Sequence, residues 1–419
     1  MKKKIISALM IGATISAGAK HLSAEVSLDH DLWWEAPETP NVKITLKDTT
    51  GVANNSKVTF IVTDDRDATK QVLNGTQDIA RGAGQARQLQ FDIQVPEPGF
   101  YKCFVKDDGN EIKRFNIGYE PKQVTSLPSA KSDYDEFWAK AKHDLAAVPG
   151  EYRITEDKEK SGKKRKAYSV SMKSLGGETI RGYLYMPIAK GKYPAKIYYN
   201  GYNSGVWPFD VDGNPDWVEF VSSIRGQMYN KDYNTYGDWI QYRLDDPEEY
   251  YYRGAFMDAV RVIDFVSQLD KLDPNLIFAE GGSQGGALTL AAASLDDRLC
   301  AIAPYIPFLT DYPDYFRIVD WPASAIREAQ KTYGLTDEQV QDNLTYFDIK
   351  NHVRRIKCPT LMGIGLQDPT CPPHTNMSSY VLIEAPKQLV IYPTCGHTVD
   401  YTDWTPRTTQ FFRDVAGKQ

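Results

Sequence analysis

Short stretches of alternating apolar and polar residues fill the N-terminal part of the chain. Four of them, between residues 41 and 119, read NVKITLKD, SKVTFIVTDD, RQLQFDIQV and GFYKCFVKDDGNEIKRFNIGY. Period-two alternation is typical of strands with one buried face, and Gly109-Asn110 indicates a hairpin turn in the last stretch. The pattern predicts a small β-sandwich over residues 25–120, resembling immunoglobulin-like domains in architecture only.

The pattern changes beyond a proline-containing linker near residues 119–130. There, the runs AKIYYNG, NLIFAEG, LCAIAPY, TLMGIGL and QLVIYP are continuously apolar, as buried parallel strands are. Helical periodicities lie between them, and in RGAFMDAVRVIDFVSQL the positions Phe256, Val260 and Ile263 share one face. Alternating strands and helices predict a doubly wound, mostly parallel α/β sheet in a second domain, residues 121–419.

The extreme N-terminus has a third pattern, MKKKIISALMIGATISAGAKHLSAE. Lysines, an apolar stretch and small residues in this order predict a secretory signal peptide within residues 1–24, cleaved after Ala19 or after Ala24. The apolar stretch is shorter than the roughly 20 residues that span a bilayer, so no membrane span is expected. The mature protein is therefore expected to be secreted or periplasmic.

Composition narrows the choice of partners. The formal net charge is −6, or −9 without the three lysines of the N-terminal MKKK, so nucleic acid is not an expected partner. The basic run KEKSGKKRK, residues 158–166, contains Ser-Gly, precedes a strand-like stretch and is expected to be a solvated hairpin or loop. Five cysteines are too few for a disulfide scaffold and lack zinc-site spacing, although a bridged pair stays open. Neither a metal nor another cofactor is expected.

Candidate chemistry begins in FAEGGSQGGALTL. Ser283 lies between an apolar strand and an alanine-rich helix, which is the setting of a nucleophile elbow. Gly281 and Gly285 provide the small residues that such a turn needs, and the following helix N-terminus can stabilise a developing negative charge. The alternative is a glycine-rich turn whose serine only caps the helix.

A serine nucleophile needs a base, and the base needs an acid, in the chain order serine, acid, histidine for this setting. Asp368 directly follows the run TLMGIGL, and His397 follows QLVIYP. Because the carboxyl ends of parallel strands share one edge of a sheet, both residues are expected beside Ser283. The alternatives left open are Asp400 or Asp403 as the acid and His374 as the histidine.

Oxyanion donors are expected from two backbone amides. One belongs to Gln284, directly after the nucleophile, and the other to Tyr202 in KIYYNGYNSG, where Gly201 is expected to allow a close approach of the chain. Aromatic residues near these loops are candidates for stacking on sugar rings, with a packed lid or core as the alternative. These candidate substrate contacts are Trp207, Phe209, Trp217, Trp239 and, beside the acyl group, Phe308.

Several stretches together resemble the acetyl xylan esterase and cephalosporin-C deacetylase family, carbohydrate esterase family seven. They are GGSQGG, RGQ, YYRGAFMDAVRVIDF and DYDEFW, and the resemblance covers roughly residues 125–415. It implies an α/β-hydrolase fold, a Ser283-Asp368-His397 triad, the oxyanion donors named above, no metal, and removal of acetyl groups from xylan-derived sugars. The RGQ residues Arg225, Gly226 and Gln227 are expected to support the nucleophile region, with substrate contact by Arg225 as the alternative.

Two features depart from that family. Thr398 stands where the family usually has glutamate. Typical members also lack the N-terminal sandwich, so their ring-like hexamer is not assumed for this chain and homo-oligomerisation stays open.

Two other functions remain: a peptidase of the prolyl-oligopeptidase type, and a non-catalytic glycan-binding protein on a hydrolase scaffold. RGQ and DEFW argue against the first, and an intact triad argues against the second. The leading expectation is a serine esterase whose partner is an acetylated oligosaccharide.

Overall fold

A computed structural model describes residues 22–27, 31–48, 54–81, 86–125, 127–205 and 210–417. The chain divides into two compact units, one reaching Val124 and including Pro393–Gly396, the other formed by Thr125–Tyr392 and His397–Gln419. The predicted signal peptide falls almost entirely outside the described residues, as do Trp207 and Phe209. Within the described ranges, no helix has both the length and the apolar character needed to cross a membrane.

The N-terminal unit consists of two β-sheets, which confirms the predicted sandwich. Its strands are β1 (Leu22–Ser27), β2 (Trp33–Trp34), β3 (Asn41–Asp48), β4 (Asn54–Asp64), β5 (Gln71–Arg81), β6 (Ala86–Asp92), β7 (Gly99–Asp107) and β8 (Asn110–Tyr119). One sheet has the order β1-β3-β6 and the other the order β2-β8-β7-β4-β5. All pairs are antiparallel except β2 with β8.

Alternation along β4 shows why these residues form a sandwich. Val58, Phe60 and Val62 are buried, whereas the residues between them are more exposed. The Phe60 ring lies 4.5 Å from the ring of Phe91 in β6, so the two sheets share one core. β5 was not predicted, because this edge strand has a mostly polar sequence and little burial.

Two local details of this unit follow from side-chain and backbone chemistry. The β7–β8 turn lies at Asp108-Gly109, one residue earlier than predicted, and both residues have positive φ (45° and 84°), as a tight hairpin turn requires. Tyr101 donates its hydroxyl hydrogen bond to the carbonyl of Glu97 at 2.6 Å, the geometry of an immunoglobulin-type tyrosine corner.

The second unit alternates strands and helices, as predicted. Its strands are β9 (Arg153–Asp157), β10 (Arg165–Lys173), β11 (Thr179–Pro187), β12 (Tyr193–Tyr199), β13 (Val218–Ser223), β14 (Leu272–Gly282), β15 (Ala301–Tyr305), β16 (Thr360–Gly365) and β17 (Lys387–Tyr392). Its α-helices are α1 (Tyr134–Ala146), α2 (Tyr251–Val266), α3 (Gln284–Leu295), α4 (Tyr312–Ile318), α5 (Ala323–Tyr333), α6 (Asp337–Leu344), α7 (Ile349–His352), α8 (Pro373–Leu382) and α9 (Tyr401–Ala416).

These strands form one sheet in the order β17-β16-β15-β14-β12-β13-β11-β10-β9. β12 to β17 pair in parallel with one another, which confirms the predicted doubly wound core. Of the antiparallel strands at one end, β10 is the strand expected after the basic run, whereas β9 and β11 were not predicted. The basic run forms the β9–β10 connection and is largely exposed, as expected, except that Arg165 near its end is buried and pairs with Glu219 at 2.6 Å.

Helix α2 buries the predicted apolar face of Phe256, Val260 and Ile263, and nearly all of its other residues are buried as well. Its polar residues have specific partners: Arg261 donates to the carbonyl oxygens of Leu145 and Val148 at the end of α1, at 2.6 and 2.8 Å. A cation at a helix C-terminus is favourable because the last carbonyl groups lack intrahelical donors.

Trp138 of the DEFW stretch packs on Phe256 of α2, with ring centroids 5.6 Å apart, so that stretch contributes to the core.

Candidate active site

The turn between β14 and α3 has the geometry of a nucleophile elbow. Ser283 has φ 56° and ψ −121°, a conformation that non-glycine residues rarely adopt outside strained functional turns. A Cβ at Gly281 would lie 2.5 Å from the backbone of Gly285, and a Cβ at Gly285 would lie 2.2 Å from the Tyr199 carbonyl oxygen. Ser283 makes no side-chain capping bond to α3, so the capping alternative does not describe its hydroxyl.

The three side chains predicted as a triad lie in one hydrogen-bonded row. His397 Nε2 is 3.0 Å from Ser283 Oγ, and His397 Nδ1 is 2.9 Å from Asp368 Oδ2. The other carboxylate oxygen accepts the backbone amides of Thr370 and Cys371 at 2.8 and 2.9 Å. Asp368 is buried, whereas the His397 side chain is 32% exposed, so the carboxylate is held rigidly behind an imidazole that solvent can reach.

The alternative acids and the alternative histidine have other partners. Asp400 caps α9 through its side chain, and Asp403 pairs with Arg407 at 2.7 Å. His374 is buried, with Nε2 3.6 Å from Asp314. The geometry therefore favours Asp368 and His397 over these candidates. Thr398, at the family's glutamate position, donates to the carbonyl of Val399 at 3.2 Å.

Two backbone amides are available near Ser283 as oxyanion donors. Gln284 is the first residue of α3, and first-turn amides have no intrahelical acceptor. Tyr202 lies in the turn after β12, and no described residue accepts a hydrogen bond from its amide. Its hydroxyl donates to Asp238 at 3.0 Å, and burial raises the pKa of that phenol. A Cβ at Gly201 would make only an ordinary 3.7 Å contact, so the expected need for glycine there is not supported.

The RGQ residues form the support behind this site. Arg225 is buried and contacts both carboxylate oxygens of Asp258, at 2.7 and 2.9 Å. Gly226 has φ +66°, and a Cβ there would lie 2.8 Å from Asn234 Oδ1, so the turn requires glycine. Both observations favour the structural interpretation of Arg225 over substrate contact.

Gln227 connects the two loops that carry the candidate oxyanion donors. Its carboxamide exchanges two hydrogen bonds with the carboxamide of Gln284, at 3.0 and 3.1 Å. Its oxygen also accepts the backbone amide of Asn203, next to Tyr202, at 3.1 Å. One buried side chain thus fixes the spacing of the amides of Tyr202 and Gln284.

We expect Gln227→Leu to lower kcat about 10- to 100-fold, with a smaller effect on KM. Leucine leaves several buried polar groups without a partner, which costs about 1–3 kcal/mol, and the two donor loops lose their common anchor. Steady-state kinetics on a chromogenic acetate ester measures this, with exposed Gln268→Leu as the matched control. A folded Gln227→Leu enzyme with wild-type kcat would contradict the positioning role.

The aromatic candidates that the structure describes are all buried. Trp217 and Trp239 are buried, as in the packed-core alternative, and the Trp217 ring lies 5.3 Å from the ring of Phe278. Phe308 is also buried, and it stacks on Trp321 at 5.5 Å with an interplanar angle of 3°. Trp321 itself is 38% exposed.

Sequence reasoning did not identify three residues that the structure places at or beside the site: Asp258, Asn203 and Trp321. An acidic residue within the apolar periodicity of α2 was a usable signal for Asp258, because a buried carboxylate needs a cationic partner. The other two lie in loops, where no periodicity relates sequence position to the site. Cys371 was expected near the catalytic loops, and its sulfur does lie within 4.8 Å of ligand atoms of Asp368 and His397.

Residues 119–414 match the sequence model of the family described as acetyl xylan esterase (AXE1). A curated relative, acetyl esterase Axe7A of Xylanibacter ruminicola, is 27% identical over 339 residues, covering 76% of this chain and 73% of the relative. The solved acetyl xylan esterase from Paenibacillus sp. R4 is 28% identical with a TM-score of 0.66, covering 70% of this chain and 98% of that one. Acetyl xylan esterase 1 from Thermoanaerobacterium sp. JW/SL YS485 is 26% identical with a TM-score of 0.63, covering 71% and 98%.

Proposed function

Because the chain belongs to the acetyl xylan esterase family and is a serine carboxylic-ester hydrolase, we propose that it removes acetyl groups from xylan-derived oligosaccharides through an acyl-enzyme on Ser283. The family resemblance and the α/β-hydrolase fold predicted from the sequence are thereby confirmed. The observation that carries the proposal is the row of hydrogen bonds from Ser283 through His397 to Asp368.

In the proposed reaction, Ser283 Oγ attacks the acetyl carbonyl carbon while His397 Nε2 takes the hydroxyl proton. Asp368 holds the Nδ1–H tautomer and stabilises the imidazolium. The amides of Tyr202 and Gln284 stabilise the oxyanion of the tetrahedral intermediate. His397 then gives this proton to the departing sugar oxygen, which leaves as the alcohol. A water molecule deprotonated by the same imidazole attacks the acetyl carbonyl, and the proton passes to Ser283 Oγ as acetate leaves.

The experiment that tests this proposal is a comparison of ester chain lengths. The rings of Tyr202, Phe308 and Trp321 pack together beside the oxyanion loop, with centroids 5.3–6.2 Å apart, and we expect them to limit the acyl space. Such a pocket discriminates against each added methylene of the acyl group by about 1–3 kcal/mol, so kcat/KM should fall steeply from acetate to butyrate to octanoate esters.

The same experiment includes acetylated xylo-oligosaccharides, which should be deacetylated, and proline-containing peptide amides, which should not be cleaved. Amide cleavage at rates near those for acetate esters would favour the peptidase alternative. Failure to turn over any ester, by a folded protein, would favour the glycan-binding alternative.

Trp321 is proposed as a sugar-binding surface at this site. Its indole is partly exposed, is backed by Phe308, and lies 5.3 Å from the ring of Tyr202, whose amide is a candidate oxyanion donor. An aromatic ring that is supported from behind and open to solvent suits stacking on a pyranose ring.

We expect Trp321→Ala to raise KM for acetylated xylo-oligosaccharides about tenfold, a loss of about 1.4 kcal/mol. Turnover of a small acetate ester should change much less, because that substrate has no pyranose ring to stack. Tyr333→Ala, at a similarly exposed aromatic residue, is the control. Equal losses on both substrates would indicate a structural effect and contradict the sugar contact.

For localisation, we propose export with cleavage after Ala19. Leu22–Ser27 forms β1 and pairs with β3, so cleavage after Ala24 would remove half of a paired strand. N-terminal sequencing of the exported protein tests this, and a mature protein that starts at Glu25 would contradict it.

A further inference from the structure

One thiol lies beside the acid and the histidine of the proposed triad, in a position that the proposed hydrolysis does not use. Cys371 is buried and forms no disulfide. Its sulfur lies 4.0 Å from the hydroxyl of Tyr315 and within 4.8 Å of ligand atoms of Asp368 and His397. A soft ligand atom therefore lies next to two members of the proposed triad.

Three metal-ligating side chains converge at this point. A carboxylate oxygen of Asp368, the sulfur of Cys371 and a ring nitrogen of His397 all lie within 4.8 Å of one another. Ligand distances of about 2.0–2.3 Å place donors on one zinc ion about 3.3–3.8 Å apart, so small side-chain rotations would bring all three onto one ion. The exposed face of His397 provides an entry path and leaves a fourth position for water.

We propose that Asp368, Cys371 and His397 bind a thiophilic divalent cation, Zn²⁺ or its close analogues, and that the bound cation reversibly inhibits the enzyme. A carboxylate and a thiolate together neutralise the charge of a dication, and thiolate with imidazole favours Zn²⁺ over Mg²⁺ or Ca²⁺. Coordination releases the Cys371 thiol proton to solvent. It also occupies the imidazole that must accept the Ser283 proton.

The surroundings of the three ligands support this assignment. Asp368 is oriented by the backbone amides of Thr370 and Cys371, and Tyr315 holds the same turn through a 2.5 Å hydrogen bond to the Thr370 carbonyl. Such outer contacts fix ligands in place before the metal arrives.

Inhibition rests on the proposed function, whereas cation binding does not, so the experiment measures both. Activity on an acetate ester is titrated with Zn²⁺, with Mg²⁺ as the hard-cation control, and a chelator is then added. Each variant is compared with its own metal-free rate. We expect inhibition by Zn²⁺ alone, reversal by the chelator, and a concentration for half-inhibition at least about tenfold higher in Cys371→Ala. Cys395→Ala, at another unbridged cysteine two residues before His397, should respond as the wild type does.

Binding is followed separately in full-length Ser283→Ala, which retains all three ligands. Co²⁺ should produce a near-ultraviolet thiolate-to-metal absorption band that disappears in Ser283→Ala/Cys371→Ser. Serine in place of cysteine keeps a similar volume but is a poor zinc ligand. Absence of the band, its persistence without Cys371, or its loss with Cys395→Ala instead would overturn the site. If the band forms but the wild-type protein hydrolyses no ester, the cation site stands and the proposed function is refuted.

Discussion

Replacing Ser283 with alanine is expected to lower kcat about 10⁶-fold. The hydroxyl is the atom proposed to form the acyl bond, and its 3.0 Å contact with His397 Nε2 is the route by which its proton leaves. His397→Ala should cost about as much, because the attack needs the nucleophile and the base together. The measurement is kcat on a chromogenic acetate ester, with pre-steady-state detection of the acetyl-enzyme in the wild type.

The double variant Ser283→Ala/His397→Ala decides whether the two residues act as a unit. We expect it to be little worse than either single variant, because the residual rate comes from substrate binding and the oxyanion donors. Losses that multiply would contradict the assignment. Ser204→Ala is a suitable control, since the Ser204 hydroxyl has no hydrogen-bond partner among the described residues and lies in the loop after Tyr202.

Asp368→Asn is expected to lower kcat about 10⁴-fold while leaving the protein folded. The amide oxygen can still accept the backbone hydrogen bonds from Thr370 and Cys371, which directs the amide nitrogen toward His397 Nδ1. That nitrogen donates rather than accepts, so it favours the wrong tautomer of the imidazole. Steady-state kinetics and a thermal melt of the same sample separate the catalytic loss from unfolding.

Two further substitutions make the acid assignment sharper. Asp400→Asn and Asp403→Asn remove the alternative acids, which cap α9 and pair with Arg407. Both variants should retain most of the wild-type kcat. A near-normal rate in Asp368→Asn together with a large loss in either of them would transfer the acid role.

Local features of the sequence were sufficient for the main elements of the fold. Alternation along residues such as Val58, Phe60 and Val62 predicted strands, because a period of two places side chains on one face of a sheet. Continuous apolar runs predicted the parallel strands β12 and β14 to β17, since strands inside a parallel sheet are buried on both faces, although the edge strand β17 is only partly buried. The edge strand β5 and the antiparallel strands β9 and β11 escaped prediction, because polar, half-exposed strands carry a weak pattern.

The sequence by itself also identified the leading candidates for the nucleophile, the acid and the histidine. Their positions directly after three of the apolar runs pointed to them, because parallel strands all end at the same edge of the sheet. The geometry of the site then favoured Asp368 and His397 over the alternatives that the sequence left open. Only the tertiary structure decided what surrounds them. Gln227 joins the two donor loops, Trp321 stacks on Phe308, and the Cys371 sulfur lies within 4.8 Å of ligand atoms of Asp368 and His397. Each of these arrangements brings together side chains from different turns or loops. Their relative placement depends on how loops pack against one another across the sheet edge, a property that no local periodicity encodes.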